Sequence, residues 1–207
     1  VEERGLYYPP YPGEPSAHIG GNVSTNAGGM RAVKYGVTRH HVLGLEAVLP
    51  TGEVIRPGGK FVKCSTGYDL TQLIAGSEGT LAVITQVILR LSTPPGHREI
   101  LFIPFSDLRQ AIECVPEILK HKSCVAGLEF LERDAVRSIE AFTQKELPFH
   151  DHAAFLIVIL EGDSQEEVLQ AAGRISEVTA AHGAIDVYLP PSERARRELL
   201  QQREKLG

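Results

Sequence analysis

The sequence predicts an α+β protein built from two successive parts, and three observations support this. Residues 1–97 hold 15 of the 20 glycines, whereas residues 98–207 hold the other 5. The first part carries 8 Lys and Arg against 7 Asp and Glu, and the second carries 13 against 19. Pro94-Pro95-Gly96 lies at this change and is typical of a linker. We therefore expect one domain over residues 1–95 and another over residues 96–207.

The first part is expected to form mostly antiparallel strands with short helices. Four prolines in Leu6–Ser16 predict an extended loop. Val42–Leu49 is rich in β-forming side chains, and the turn after it leads to Val54–Arg56, which predicts a hairpin. A short helix over Leu70–Ala75 follows an N-cap aspartate, and a further strand is expected over Thr80–Leu91. The helix is expected to bury one apolar face: Leu70, Leu73 and Ile74.

The second part alternates apolar β-type runs with helical patterns in the order βαβ(α)βαβ. This order is typical of a ferredoxin-like layer, which we expect as one sheet with helices on one face. The expected strands are Glu99–Phe105, Val125–Leu131, Ala153–Glu161 and Ala184–Leu189. The expected helices follow Ser106, cover Arg133–Phe142, start at the Ser164/Glu167 capping box and follow Pro190-Pro191-Ser192. Pro116 falls inside the first of these patterns and should kink it or shift its start.

Composition excludes several classes of protein. The chain is 43% hydrophobic and 23% charged, as in ordinary globular domains, and no apolar run approaches the ~18 residues of a membrane span. A net charge of −5 argues against a nucleic-acid partner. The three cysteines form no CxxC pair and indicate reduced thiols of a cytosolic protein. Cys114 and Cys124 lie in apolar contexts and are expected to be buried.

Ile19–Gly36 is the most unusual stretch, with five glycines and two asparagines. We expect no packed element here, because glycine permits positive φ and close approach of the backbone to another group. Gly20-Gly21 and Gly28-Gly29 would then be turns whose amides form an anion-binding nest. A pair of ordinary tight turns is the alternative interpretation.

A second glycine-bracketed turn, Gly76–Thr80, runs into the apolar segment Leu81–Thr85. Six motifs occur in order along the first part: IGGN, TNAGG, VKYG, VLGLEAVLPTGE, TGYDL and GSEGTLAVIT. In order and spacing they resemble the FAD-linked oxidases of the vanillyl-alcohol-oxidase type, which have a PCMH-type FAD-binding domain. Within that family the sequence looks most like the flavoprotein subunit of glycolate oxidase and the D-lactate and D-2-hydroxyglutarate dehydrogenases. The resemblance covers nearly all of residues 6–95 and continues more weakly to the end.

The resemblance implies that residues 1–95 are the C-terminal lobe of a two-lobed FAD-binding domain and residues 96–207 part of a ferredoxin-like cap, or substrate, domain. It also implies that the chain is a fragment, which alone would be colourless and inactive because the other flavin lobe carries the main pyrophosphate loop. The positions that match the family's FAD contacts are Ile19, Gly20, Gly21, Asn22, Thr25, Asn26, Gly28, Gly29, Tyr35, Gly36, Glu78, Gly79, Val83 and Ile84.

Three positions depart from the family pattern. His18 stands where the family usually has Thr, and Tyr11 stands where it has the Asp of a PPDP sequence. Ala82 replaces the Gly of TLGVIT, and its methyl group is expected to crowd the cofactor. These changes are expected to weaken individual contacts more than they affect membership of the family.

Substrate and metal contacts are sparse in this chain. Arg203 matches the arginine of a family Trp-x-x-Arg pattern that binds the substrate carboxylate in some members; a surface arginine is the favoured alternative, since Leu200 replaces the tryptophan. We assign no catalytic residue, because the family's catalytic and metal-ligating histidines lie in a C-terminal part beyond this match. His150-Asp151-His152 has a spacing that could ligate a metal on a strand, but a solvated loop is the favoured interpretation, so no metal site is expected.

The implied activity of the whole protein is oxidation of a 2-hydroxy acid to the 2-oxo acid by hydride transfer to FAD. Glycolate, D-lactate and D-2-hydroxyglutarate remain open as substrates. The implied partners are an electron-acceptor protein or iron–sulfur subunit and a second copy in a homodimer, in the cytoplasm, with membrane association only through partner subunits. The alternative is a non-catalytic ferredoxin-like interaction module fused to a degenerate flavin lobe. A Pro-Arg-Gly-Gly phosphate loop upstream would discriminate the two.

Overall fold

The structure, a computed structural model, describes residues 1–10, 12–14, 16–120 and 124–204. The chain divides into two compact units, Val1–Pro94 and Pro95–Gly207. Each unit contains its own three-stranded antiparallel sheet with helices, which confirms the α+β fold class. None of the helices in the described ranges has the length and apolarity that crossing a bilayer requires.

The first unit is built on a sheet with strand order β2-β1-β3. Its strands are β1 (Val42–Val48), β2 (Val54–Ile55) and β3 (Val83–Leu89), and its helices are α1 (Ile19–Thr25), α2 (Ala32–Tyr35) and α3 (Leu70–Ile74). The predicted hairpin is confirmed, because β1 and β2 pair antiparallel. The third strand begins at Val83, later than Thr80, because Gly76–Thr80 turns against α1 first.

The expectation that Ile19–Gly36 forms no packed element is wrong at its start. Residues 19–25 form the helix α1, so Gly20 and Gly21 are helical and no turn-type nest exists there. Val23 is fully buried in the core of the unit, with Val42, Leu45 and Ala82. Tertiary packing of this side chain outweighs the low helix propensity of two glycines.

Helix α3 begins as predicted but turns a different face to the core. Asp69 is its N-cap, and the carboxylate accepts the Gln72 N–H at 3.0 Å. Leu70 and Leu73 are 42% and 60% exposed, whereas Thr71 and Ile74 are buried, so the predicted buried face is correct only for Ile74. In a helix of five residues, the contact with β1 decides which face is buried, since one turn carries too few apolar positions to specify it.

The second unit has a sheet with strand order β4-β6-β5. The strands are β4 (His97–Phe105), β5 (Val125–Glu132) and β6 (Ala154–Gly162), and the helices are α4 (Leu108–Leu119), α5 (Arg133–Thr143), α6 (Gln165–Ala181) and α7 (Glu193–Glu204). These agree with the expected elements, and Ser164 caps α6 by accepting the Glu167 N–H at 3.2 Å.

Two details of the second unit differ from expectation, and the kink expected at Pro116 stays a prediction. The N-cap of α4 is Asp107, not Ser106, because its carboxylate accepts the Arg109 N–H at 2.8 Å. The same helix continues through Pro116. Residues 184–189 form no strand; they make only isolated bridges to β4, at Ala184 and Tyr188.

Helices cover both faces of the second sheet, so the expectation of helices on one face is wrong. On one face α4 and α6 pack around Leu101, Ile103 and Leu156, and on the other α5 and α7 pack around Phe102 and Phe155. The two phenylalanine rings stack with centroids 5.1 Å apart. Every residue of β6 is buried, which explains why this strand is a continuous apolar run instead of an alternating one.

Glu161 is the exception in that run, since it is charged and its side chain is fully buried near the end of β6. Arg98 lies directly opposite it on β4 and donates Nε and Nη2 to the same carboxylate oxygen, at 2.8 and 2.5 Å. The arginine side chain is 38% exposed, so the pair lies at the border of the core. A buried carboxylate needs such a partner, because its desolvation is otherwise uncompensated.

We expect Arg98→Leu to lower the free energy of unfolding by about 2–4 kcal/mol, since it leaves the Glu161 carboxylate buried without its arginine. The double variant Arg98→Leu/Glu161→Leu should recover most of that loss, because it also removes the buried charge. Urea unfolding of the two variants and the original chain measures both values. A double variant as unstable as the single one would contradict this account.

Cys114 is fully buried on α4, as expected. Burial, and secondly the nearby Glu117 carboxylate, raise the pKa of its thiol from 9.0 to about 11. The neutral thiol is thus favoured in the folded state, and this stabilisation is present below pH 9 and is lost as the pH rises through 11.

We therefore expect the free energy of unfolding of the original chain to fall more steeply with pH than that of Cys114→Ala. The difference should reach roughly 2–3 kcal/mol between pH 9 and pH 11. Cys64→Ser is the control, because Cys64 is exposed. Chemical unfolding at a series of pH values from 8 to 11.5 gives the slopes. Equal slopes for Cys114→Ala and Cys64→Ser would refute the assignment.

Candidate functional site

The C-terminal end of α1 is joined by backbone hydrogen bonds to the turn that precedes β3. The N–H of Gly76 donates to the Val23 carbonyl at 2.9 Å, and the N–H of Glu78 donates to the Ser24 carbonyl at 2.8 Å. The last carbonyls of a helix lack their usual partners. This turn supplies a donor to the Ser24 carbonyl and a second donor to the Val23 carbonyl, which also accepts the Asn26 N–H at 3.2 Å. Two of the stretches singled out in the sequence, more than 50 positions apart, therefore lie side by side.

Arg39 fixes the same junction from the other side. Its N–H donates to Asn26 Oδ1 at 2.9 Å and its Nη2 donates to the Ala75 carbonyl at 2.7 Å, while Gln72 Nε2 donates to the Arg39 carbonyl at 3.0 Å. Asn26 ends α1 in the left-handed region, with φ 52°. Arg39 therefore connects the end of α1, the end of α3 and the start of β1.

The structure leaves the outer side of α1 open. Apart from the backbone of α1 itself, a Cβ atom added to Gly20 or Gly21 would meet no atom of the described residues within 4 Å. Ile19 is 40% exposed, and Val83, at the start of β3, is 64% exposed. Ile84 points the other way and packs against the core of the unit. Of the predicted apolar contacts, Ile19 and Val83 thus offer their side chains to a ligand, whereas Ile84 does not.

The glycine-rich loop after α1 differs from the predicted anion-binding nest at its second glycine pair, Gly28-Gly29. Gly29 accepts the Ala32 N–H at 3.0 Å and so starts a tight turn, and a Cβ added to Gly28 would lie 3.6 Å from Val37, an ordinary contact distance. This supports the alternative of an ordinary turn at the second pair. Thr25 donates its hydroxyl back to the Gly21 carbonyl at 3.0 Å, which occupies that hydroxyl within the helix.

Tyr35 and Gly36 form a local structure of their own. The buried His41 ring donates from Nε2 to the Tyr35 carbonyl at 2.9 Å. Gly36 has φ 74°, and a Cβ there would lie 2.0 Å from His40 Nδ1, so both backbone conformation and packing require glycine. Glu78 and Gly79, in the turn before β3, also have positive φ, at 52° and 77°.

The three departures from the family pattern have separate outcomes. Ala82 is 4% exposed and its methyl group packs in the core, which gives no support to the expected crowding of a cofactor. His18 is the N-cap of α1, and its side chain makes no capping hydrogen bond. Tyr11 lies outside the described residues.

The predicted substrate residue, Arg203, already has a carboxylate partner. It donates Nε and Nη2 to Glu129 Oε2 on β5, at 2.9 and 2.5 Å. His150 lies 3.1 Å from Glu140 through Nδ1. Over the described ranges, no group of three or more His, Cys, Asp or Glu side chains is arranged to hold a metal ion.

Comparison with known families decides the membership of the chain. Residues 94–207 match the model described as FAD linked oxidases, C-terminal domain, and residues 1–58 match that of an FAD binding domain. The chain belongs to the FAD-linked oxidases. FAD is the cofactor of this family, as the resemblance implied.

Three relatives show how far the likeness extends. An FAD-linked oxidoreductase of Mycobacterium tuberculosis is 45% identical over 98% of this chain and 45% of its own length. A D-lactate dehydrogenase of Archaeoglobus fulgidus is 41% identical over 96% of this chain and 43% of its own. The glycolate oxidase subunit GlcD of Bacillus subtilis is 43% identical over 76% of this chain and 34% of its own. The chain thus spans less than half the length of these relatives.

A solved structure supports the fold across this FAD-linked oxidase chain. Alkyldihydroxyacetonephosphate synthase superimposes with a TM-score of 0.75 over 99% of this chain and 39% of its own, at 16% identity. At that identity the likeness concerns the fold alone.

Sequence reasoning missed Arg39, although this residue organises the junction of α1, α3 and β1. No local pattern marks it, since its partners are the Ala75 carbonyl and the side chains of Asn26 and Gln72, which lie 13 to 36 positions away. Gly76 gave a better signal, because a glycine directly after a short helix commonly adopts positive φ.

Gly76 is the position where a small change should disturb this junction. Its φ is 85°, and a Cβ would lie 2.8 Å from Arg39 Nη2 and 3.0 Å from Asn26 Cβ. We expect Gly76→Ala to destabilise the chain by about 1–3 kcal/mol. Gly173→Ala is the matched control, since Gly173 lies in α6 and faces open space; it should be neutral or stabilising by up to ~1 kcal/mol. Thermal unfolding compares them, and equal melting temperatures would count against the role of Gly76.

Proposed function

We propose that this chain forms part of an FAD-dependent oxidoreductase that oxidises a 2-hydroxy acid to the corresponding 2-oxo acid. The observation that carries the proposal is the junction of α1 with the Gly76–Thr80 turn, which brings two of the family's cofactor-contacting motifs to one surface. Relatives named D-lactate dehydrogenase and glycolate oxidase subunit support the substrate class. Val1–Pro94 would supply the second flavin lobe and Pro95–Gly207 part of the cap.

The residues at this surface fit a flavin nucleotide. Such a cofactor needs an apolar surface for its ring system and an approach to backbone amides for its phosphates. Ile19 and Val83 offer exposed apolar side chains, and Gly20 and Gly21 leave the backbone of α1 uncovered. Here Gly20 and Gly21 lie in an ordered helix, and their role is to leave one side of it without side chains. This role replaces the turn-type nest that the sequence suggested.

FAD, when bound, supplies the acceptor for the hydride that leaves C2 of the substrate. The contribution of this chain would be to bind and orient that acceptor. The uncovered α1 backbone would let a planar or charged group approach closely, and Val83 would exclude water from one side of it. The hydroxyl proton of the substrate also needs a base, and we assign that role to none of the residues in this chain.

Arg203 is a weaker candidate for binding the substrate carboxylate. Its Nε and Nη2 are used by Glu129, so a substrate carboxylate would have to displace that side chain. The ion pair instead supports a packing role, in which Arg203 fixes the last turn of α7 to β5. We retain a partner subunit or acceptor protein as part of the proposal, because the GlcD relative is named as a subunit.

A chimera tests the flavin assignment. This chain replaces the matching segment of the Archaeoglobus D-lactate dehydrogenase, and the product is examined by its visible spectrum and by oxidation of D-lactate, glycolate and D-2-hydroxyglutarate with an artificial electron acceptor. We expect a yellow protein with one FAD per chain and turnover of at least one of these acids, whereas the 207-residue chain alone should be colourless. A folded chimera without FAD would favour the alternative of a non-catalytic interaction module.

Gly21→Leu in the chimera should weaken FAD binding at least about tenfold, because the side chain occupies the open side of α1. Helix propensity favours leucine over glycine, so the melting temperature of the apoprotein should not fall. Gly173→Leu places the same substitution on α6, where a Cβ also meets no atom, and should leave FAD binding unchanged. Equal FAD affinity for both variants would remove Gly21 from the site.

A further inference from the structure

The first unit contains a cleft of about 410 Å³ that the proposed flavin site does not use. It lies between the start of β1, the loop of residues 57–68 and helix α3. None of the fourteen residues proposed to contact FAD lines it. Its volume falls in the range of pockets that hold small molecules.

The floor of the cleft is held by backbone pairing. After β2, the chain continues along β1, where the Leu45 N–H donates to the Pro57 carbonyl at 2.9 Å and the Gly59 N–H to the Leu43 carbonyl at 3.0 Å. Gly58 has φ 76°, and a Cβ there would lie 2.2 Å from the Leu43 carbonyl oxygen. Only glycine fits this crossing, and it keeps the base of the cleft free of side chains.

A buried hydroxyl group lies beside this floor. Thr71 lines the cleft and is 3% exposed, and its Oγ1 has no hydrogen-bond partner among the described residues. A Cβ added at Gly58 would lie 2.8 Å from this oxygen. Buried polar groups are nearly always paired, so an unpaired hydroxyl in the wall of a cleft points to a ligand.

The charges that line the cleft are mainly positive, although the whole chain carries −5. Arg39 and Arg90 contribute to the lining, against one carboxylate, Asp69. That carboxylate already accepts the Gln72 N–H as the cap of α3. The Nε of Arg39 is buried and, within the described ranges, has no partner. Arg90 directly follows the last residue of β3, so the end of the sheet fixes its backbone.

We propose that this cleft binds a small anion through a carboxylate or phosphate group. Arg90 and Arg39 would hold the charge, and the Thr71 hydroxyl would donate one hydrogen bond to it. Guanidinium groups suit both anions because their donors match two oxygens at once. Phe61, which lines the cleft and is 48% exposed, would supply an apolar side chain for the carbon skeleton of such a ligand.

The test titrates the purified 207-residue chain with inorganic phosphate and, separately, with succinate, at constant ionic strength. Amide chemical shifts in ¹H–¹⁵N spectra and isothermal titration calorimetry report the binding. Saturable 1:1 binding that shifts the amides of Gly58, Gly59 and Thr71 is expected for at least one anion, and the anion that binds identifies the group recognised. Absence of saturable binding for both would overturn the proposal.

Three variants separate a built site from general attraction to positive charge. Arg90→Ala should raise the dissociation constant at least about tenfold, since it removes a charge-assisted contact. Thr71→Val, which keeps the shape of the side chain, should raise it about threefold to tenfold without lowering the melting temperature. Arg4→Ala removes an exposed arginine of the same unit that does not line the cleft, and should have no effect. Equal losses for Arg4→Ala and Arg90→Ala, or unchanged binding for Thr71→Val, would overturn the proposal.

Discussion

Two hydrogen bonds between the amides of Gly76 and Glu78 and the carbonyls at the end of α1 are the constraint on which the first unit depends. A seven-residue helix with two glycines has little stability of its own, because each glycine costs about 1 kcal/mol relative to alanine. The turn before β3 supplies donors to the last carbonyls of this helix, and Val23 anchors it in the core. The helix can therefore leave its other side uncovered, which is the side that the proposed cofactor needs.

The two proposed binding surfaces of the first unit lie toward opposite ends of one strand pair. Val48 pairs with Val83 at the end of the sheet beside the proposed flavin site, and Val42 pairs with Leu89 at the other end, next to Arg90 and the cleft. Arg39 takes part in both regions, since it bonds to the end of α1 and also lines the cleft. Its backbone and Nη2 serve the junction, whereas its buried Nε has no partner among the described residues.

The second unit has a different balance of forces. Its central strand is buried along its whole length, and helices on both faces remove the alternation of polar and apolar residues that a half-exposed strand would show. The charged Glu161 lies inside this layer opposite Arg98 on β4, which donates two hydrogen bonds to its carboxylate. The surface ion pairs on the helices, such as Arg109 with Glu113, are exposed and contribute much less.

The sequence by itself determined the strands β4, β5 and β6, the hairpin, the caps of α3 and α6 and the family, because these depend on local patterns or on motifs in a fixed order. It led to wrong expectations for α1, for the buried face of α3 and for the helices of the second unit. Only the tertiary structure decided those, since short helices take their stability and orientation from what they pack against. The same reason applies to Arg39, Gly58 and Thr71. Their roles arise from partners far away in sequence, and no local pattern of residue types records such contacts.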